Sequence, residues 1–266
     1  MTTEPVELAV RLPEDAATGV PLVLLHAFPL DSRMWEPVVV YLAGAARVVL
    51  VDLPGLGASP LPSAGAPSLD AGADGVAAAL DRLGVRRAVV AGVSMGGYVA
   101  MALARRHADR IAGLALVDTK AEADGEEARA NRLRMAEAVL GETGTRALAP
   151  MPDTLLGPTT HTRRPELVRL VRDRLAQAPP AGVAWSQRAM AARPDSTAVL
   201  AGLAVPSAVV VGEEDGLATP ASAAALTGVL ADAVLTVIPG AGHLTPLEAP
   251  RAVAAALVDL VVRTRP

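Results

Sequence analysis

The 266-residue chain contains no cysteine. That excludes a disulfide framework and any thiolate metal site. Aromatic residues make up only 2% of the chain, so Val, Leu and Ala must fill the interior. The same scarcity disfavours a pocket built to stack sugars or nucleobases. Basic residues are skewed, with Lys120 the only lysine among 24 of them, and no run of basic residues occurs. At a formal net charge of −4, nucleic-acid binding has little electrostatic support. No uninterrupted apolar stretch reaches roughly 18 residues, so no membrane-spanning helix is expected. The opening MTTEPVELAV has no basic region followed by an apolar core. A secretory leader is therefore not expected, and a cytoplasmic location fits.

What the chain has is apolar residues, at 52%, enough for one sizeable domain with a large core. Short β-branched or leucine-rich runs recur along it: VELAVRL, PLVLL, ARVVLVDL, RAVVAGV, IAGLALVDT, PSAVVVG and AVLTVIPG. Most hold four or more apolar residues in a row, as strands buried on both faces do. Helical patterns over Ser68–Leu83, Met95–His107 and Pro246–Val262 lie between or after them. Strand–helix alternation of this kind predicts an α/β fold with a mostly parallel sheet. The alternation stops between residues 119 and 205, which are rich in Arg, Glu, Asp and Pro. Leu167, Leu170, Val171 and Leu175 form one apolar stripe there, and Leu133, Ala136 and Leu140 hint at another. These patterns predict a helical lid over 119–205, set into a core made of 1–118 and 206–266.

The strongest chemical signal is AGVSMGGYVA, where Ser94 sits in Gly-Val-Ser-Met-Gly between a strand pattern and a helix pattern. A nucleophile on a sharp strand-to-helix turn needs small neighbours, which Gly92 and Gly96 supply. The bland alternative is a phosphate-binding turn, but G-x-G-x-x-G and a Gly-Lys-Ser/Thr ending are both absent. A serine of ordinary acidity needs a base, and the base an orienting acid. His243 in IPGAGHLTPLEAP is the candidate base. Asp215 in VVVGEEDGLATP is the favoured acid, with Glu213 and Glu214 turned to solvent, and Asp118 at the end of IAGLALVDT stays a competitor. The order Ser, Asp, His along the chain is that of hydrolases with the triad on strand ends of an α/β sheet. Asp52, Gly55 and Gly57 read as a structural turn beside the site, and Trp35 as a core anchor. His107 and His161 read as solvated, and the four scattered histidines give no metal site.

The segments HAFP, DLPGLG, GVSMGG, VGEEDG and GAGH occur in that order. Together they resemble the α/β-hydrolase superfamily over nearly the whole chain, and within it the branch of 3-oxoadipate enol-lactonases and related small esterases. The resemblance implies a triad of Ser94, Asp215 and His243, with the backbone N–H groups of Phe28 and Met95 as the oxyanion hole. It makes His26 part of a loop scaffold. Ala27 stands where the family usually has glycine, a methyl that bears on how the Phe28 N–H is aimed. The implied reaction is cleavage of a small carboxylic ester or lactone without cofactor or metal. Alternatives on the same fold are a cyclase or acyltransferase and a ligand-binding protein. A serine at position 94 argues against haloalkane dehalogenase and epoxide hydrolase chemistry, which need a carboxylate nucleophile. Candidate pocket residues are His26, Trp185, Leu244 and Arg188, the last as a carboxylate ligand. No feature speaks to subunit number.

Overall fold

The computed structural model describes residues 4–13 and 20–264. Met1–Thr3, part of the stretch from which a leader was judged absent, lie outside them. The first half alternates as expected: β1 (Val10–Arg11), β2 (Pro21–Leu25), α1 (Glu36–Leu42), β3 (Arg47–Val51), α2 (Leu69–Arg82), β4 (Ala88–Val93), α3 (Met95–Arg106) and β5 (Ile111–Val117). Six helices then follow without a strand: α4 (Glu126–Leu140), α5 (Pro152–Leu155), α6 (Pro158–Arg163), α7 (Pro165–Ala176), α8 (Pro180–Ala191) and α9 (Thr197–Ala201). The chain returns to the sheet with β6 (Ser207–Gly212), α10 (Pro220–Val229), β7 (Ala233–Ile238), α11 (Thr245–Glu248) and α12 (Pro250–Arg263).

Among the described residues the strands form one seven-stranded sheet in the order β1-β3-β2-β4-β5-β6-β7. Only the β1–β3 pair is antiparallel. Every residue of β2, β4 and β6 is buried, which is why these segments read as unbroken apolar runs. The edge strand β7 instead leaves Val234 and Val237 exposed. The order reverses between β3 and β4, on either side of β2. Crevices at such reversals, beyond the carboxyl ends of the strands, are where α/β sheets hold ligands. Leu25 of β2 pairs with Gly92 of β4, so the loops that begin at His26 and Ser94 leave the sheet side by side.

Some expectations need correcting. VELAVRL contributes just two residues to the sheet. The helix expected over Pro246–Val262 is broken between α11 and α12, where Ala249 adopts φ −143°, ψ 57° ahead of Pro250. Proline's ring disfavours helical geometry in the residue before it, so the break follows from the sequence. In α7 the buried stripe is Leu167, Val168, Val171 and Leu175, with Leu170 exposed. In α4 Ala136 and Val139 are buried while Leu133 and Leu140 face outward. Trp35 is fully buried, as a core anchor should be.

The helical segment is pinned tightly to the sheet. A Cβ on Gly182, in α8, would lie 1.8 Å from the Gly55 carbonyl oxygen, so the two backbones touch where no other residue fits. At the other end Glu214 accepts from the Thr159 N–H (2.9 Å) and hydroxyl (2.5 Å). Glu248 accepts from the Gly157 N–H (2.9 Å), the Thr160 hydroxyl (2.7 Å) and the Leu244 N–H (3.1 Å). Glu214 is therefore half-buried against the first turn of α6, where its position had suggested a fully solvated side chain.

Candidate active site

Ser94 follows β4 directly and precedes the first residue of α3. Its backbone is held at φ +52°, ψ −112°, a conformation that only a tightly determined turn keeps. Three hydrogen bonds hold it. Its N–H donates to the Val117 carbonyl at 2.9 Å, and its own carbonyl accepts from the Tyr98 N–H at 3.1 Å and the Thr119 hydroxyl at 2.9 Å. The flanking glycines are required sterically. A Cβ on Gly92 would lie 2.2 Å from the Gly96 carbonyl oxygen, and one on Gly96 would lie 2.4 Å from that of Leu25.

The histidine arrives from the loop between β7 and α11, buried, with its N–H bonded to the Leu155 carbonyl at 3.1 Å. Its Nδ1 lies 2.7 Å from Asp215 Oδ2 and its Nε2 lies 2.9 Å from Ser94 Oγ. A carboxylate can only accept, so in the neutral imidazole Nδ1 carries the proton and Nε2 is left to accept from the serine hydroxyl. Asp215 is fixed in turn, because its Oδ1 accepts from the Leu217 N–H (2.7 Å) and the Ala218 N–H (2.9 Å). The arrangement can draw a proton from Ser94 and stabilise the resulting imidazolium.

Asp118 is spoken for elsewhere. Its carboxylate accepts from the Gly212 N–H (3.2 Å) and from the Thr245 N–H (3.0 Å) and hydroxyl (2.6 Å), and it makes no hydrogen bond to His243. Complete burial, with the nearby Asp215 charge, raises its pKa well above the ordinary carboxylate value. Of the two acids left open by the sequence, Asp215 is the one that bonds the imidazole.

His26 is also fully buried, but it bonds backbone. The Leu53 N–H donates to its Nε2 at 2.8 Å, so Nδ1 carries the proton and donates to the Ala27 carbonyl at 3.0 Å. Burial lowers its pKa, which keeps the ring neutral and able to accept. Asp52 braces the same region through the N–H groups of Ser32 (2.8 Å) and Ala58 (2.9 Å). Ala27 is buried and avoids the left-handed region, so its methyl adds no backbone strain. Among the described residues neither the Phe28 nor the Met95 N–H has a protein acceptor.

A cavity of about 580 Å³ opens over Ser94, lined on one side by Phe28, Tyr98 and His243. Met135, Met151, Leu155, Met190 and Leu217 make an apolar wall, and Lys120, Asp124, Asn131, Arg132 and Gln187 a polar one. The suggested pocket residues do not line it: Arg188 is exposed, Trp185 half-buried, and His26 and Leu244 are fully buried. On α8 it is Gln187 and Met190 that face inward. His107 and His161, expected in solvent, are half-buried and bond Asp74 (2.8 Å) and the Pro152 carbonyl (3.1 Å).

This geometry sits within a known fold. A family described as the alpha/beta hydrolase fold matches residues 20–250. The chain belongs to the α/β-hydrolase family. This α/β hydrolase is similar to a thermophilic esterase from Thermogutta terrifontis solved with malate bound, at a TM-score of 0.92 and 39% identity over 98% of this chain and 95% of that one. It is similar to the enol-lactonase from Burkholderia xenovorans LB400, with a TM-score of 0.86 and 29% identity over 96% of each chain. It is also 41% identical over 98 residues to the pimeloyl-[acyl-carrier protein] methyl ester esterase of Aromatoleum aromaticum. That match spans 37% of this chain and 36% of the relative, about a third of its length. No helix among the described residues is long and apolar enough to cross a membrane.

Proposed function

We propose that this α/β hydrolase cleaves small carboxylic esters or lactones through an acyl-enzyme on Ser94. The observation that carries the reading is His243 bridging Ser94 Oγ at 2.9 Å and Asp215 at 2.7 Å. In the forward step His243 takes the Ser94 proton as the oxygen attacks the carbonyl carbon, and Asp215 stabilises the imidazolium. The negative charge on the former carbonyl oxygen falls to the Phe28 and Met95 N–H groups, each worth roughly 3 kcal/mol of transition-state stabilisation. The Met95 group has the further advantage of standing at the start of α3, where the helix dipole favours an anion. His243 then protonates the leaving alkoxide, and water enters by the reverse sequence to release the acid. No step calls on a cofactor.

The helices between β5 and β6 serve as a cap over residues 119–205, closing the cavity and setting which acyl or alcohol groups fit. The esterase and enol-lactonase to which the chain is similar support small esters and lactones as the substrate class. Substitution of Ser94 by alanine tests the reading. Turnover of p-nitrophenyl acetate is expected to fall by about 10⁴ to 10⁶ in kcat. Near-wild-type turnover by Ser94→Ala would remove the serine mechanism altogether.

A further inference from the structure

The polar wall of the cavity is unbalanced in charge. Asp124 is its one carboxylate, with a side chain 1% exposed, and three cations surround it. Arg132 Nε and Arg193 Nη1 (2.8 Å) both bond Asp124 Oδ2. Burial works against the Asp124 charge, yet these two guanidiniums hold its pKa below the ordinary value. Arg193 is itself nearly buried, 4.0 Å over the Tyr98 ring and bonded to the Glu122 carbonyl at 2.7 Å. Arg132 also reaches Gln187 Oε1 at 3.3 Å. Both guanidiniums take the same oxygen, and Asp124 Oδ1, on the side of Lys120, is buried without a hydrogen-bond partner among the described residues. Lys120 Nζ stands 3.8 Å from Asp124 Oδ1, beyond hydrogen-bond distance, and has no hydrogen-bond partner among the described residues.

Lys120 is well placed relative to the chemistry. It adjoins Thr119, whose hydroxyl bonds the Ser94 carbonyl, so ammonium and nucleophile share one shelf at the strand ends and line one cavity. It is also the sole lysine in a chain whose other basic residues are all arginine. An ammonium offers three freely rotating donors to a small anion, where a guanidinium offers a rigid fork. We propose that Lys120, backed by the Arg132–Asp124–Arg193 cluster, is a carboxylate-binding subsite, and that the preferred substrates are small esters or lactones carrying a free carboxylate. The proposal rests on the hydrolase reading above. A phosphate dianion suits the site less well, since it would set two charges against one free ammonium with Asp124 alongside.

The test compares two esters of matched length, monomethyl glutarate and methyl valerate, by the ratio of their kcat/KM values. Lys120→Met is expected to lower the glutarate-to-valerate ratio by about tenfold or more, and Lys120→Arg to keep most of it. Raising salt to roughly 0.5 M should compress the wild-type ratio toward that of Lys120→Met. If Lys120 only neutralised Asp124, Lys120→Met would lower Tm and leave the ratio where it was, which overturns the proposal. Should the wild type hydrolyse neither ester, the esterase reading fails, and calorimetric titration of glutarate into Ser94→Ala decides the subsite separately. Binding that is lost when Lys120→Met is added supports it. Equal affinity in both, or none in either, overturns it.

Discussion

His26→Ala separates a scaffold histidine from a catalytic one. The imidazole is fully buried and satisfies two backbone groups, the Leu53 N–H at 2.8 Å and the Ala27 carbonyl at 3.0 Å. Alanine leaves both without a partner, at about 1–3 kcal/mol each, and opens a small void. The two groups together cost about 2–6 kcal/mol before the void is counted, or roughly 4–24 °C in Tm at about 2–4 °C per kcal/mol. There is a pH signature as well. Burial holds the folded pKa of His26 below its ordinary value, while in the unfolded chain the ring takes up a proton near pH 6.5. The His26 contribution is therefore present above about pH 6.5 and is lost as pH falls toward the folded pKa. Denaturant titrations of wild type between pH 8 and 5 should show this limb, up to about 1.4 kcal/mol per pH unit, and those of His26→Ala should lack it. In kcat the variant should lose about 10²-fold through a displaced Phe28 loop, well short of His243→Ala. If His26→Ala matched His243→Ala in kcat while keeping wild-type stability, the base would be wrongly assigned.

Two further substitutions probe the neighbouring geometry. Asp215→Asn should lower kcat by about 10⁴ with little change in KM, because the imidazole loses its orienting acceptor. Asp118→Asn should act mainly on stability, read by thermal melt, since its carboxylate bonds Gly212 and Thr245 and not His243. Equal kcat losses in the two would mean that the acid role is shared. Gly92→Ala places a methyl 2.2 Å from the Gly96 carbonyl oxygen, so it should cost about 3 kcal/mol or prevent folding. A stable, active Gly92→Ala protein would mean that the turn is looser than it looks.

The strand-to-helix turn at Ser94 was legible because its constraints are local: Gly92 and Gly96 are demanded by contacts that a five-residue motif already encodes. The buried strands were legible for the same reason, as unbroken apolar runs. The choice between Asp118 and Asp215 was legible only as a preference for Asp215. It depends on how the chain after β6 turns, which lets Leu217 and Ala218 clamp Asp215 while Thr245 captures Asp118. The cavity wall was misread for a different physical reason. Lys120, Arg132 and Gln187 are polar residues that line the cavity, and on a helix or loop such residues read as solvated. In α4 Arg132 borders the cavity, while Leu133 and Leu140, which the apparent apolar stripe included, are exposed. Glu214 was misread likewise, since its partner Thr159 lies 55 residues upstream.

The central claim is that Ser94 carries the acyl group. Intact mass spectrometry of the protein mixed with p-nitrophenyl acetate and quenched in acid tests it directly, with peptide mapping to locate any adduct. A gain of one acetyl group on Ser94 is expected in the wild type, and none at that position in Ser94→Ala. Ester turnover with no adduct on Ser94, or an adduct that survives in Ser94→Ala and keeps pace with turnover, would contradict it.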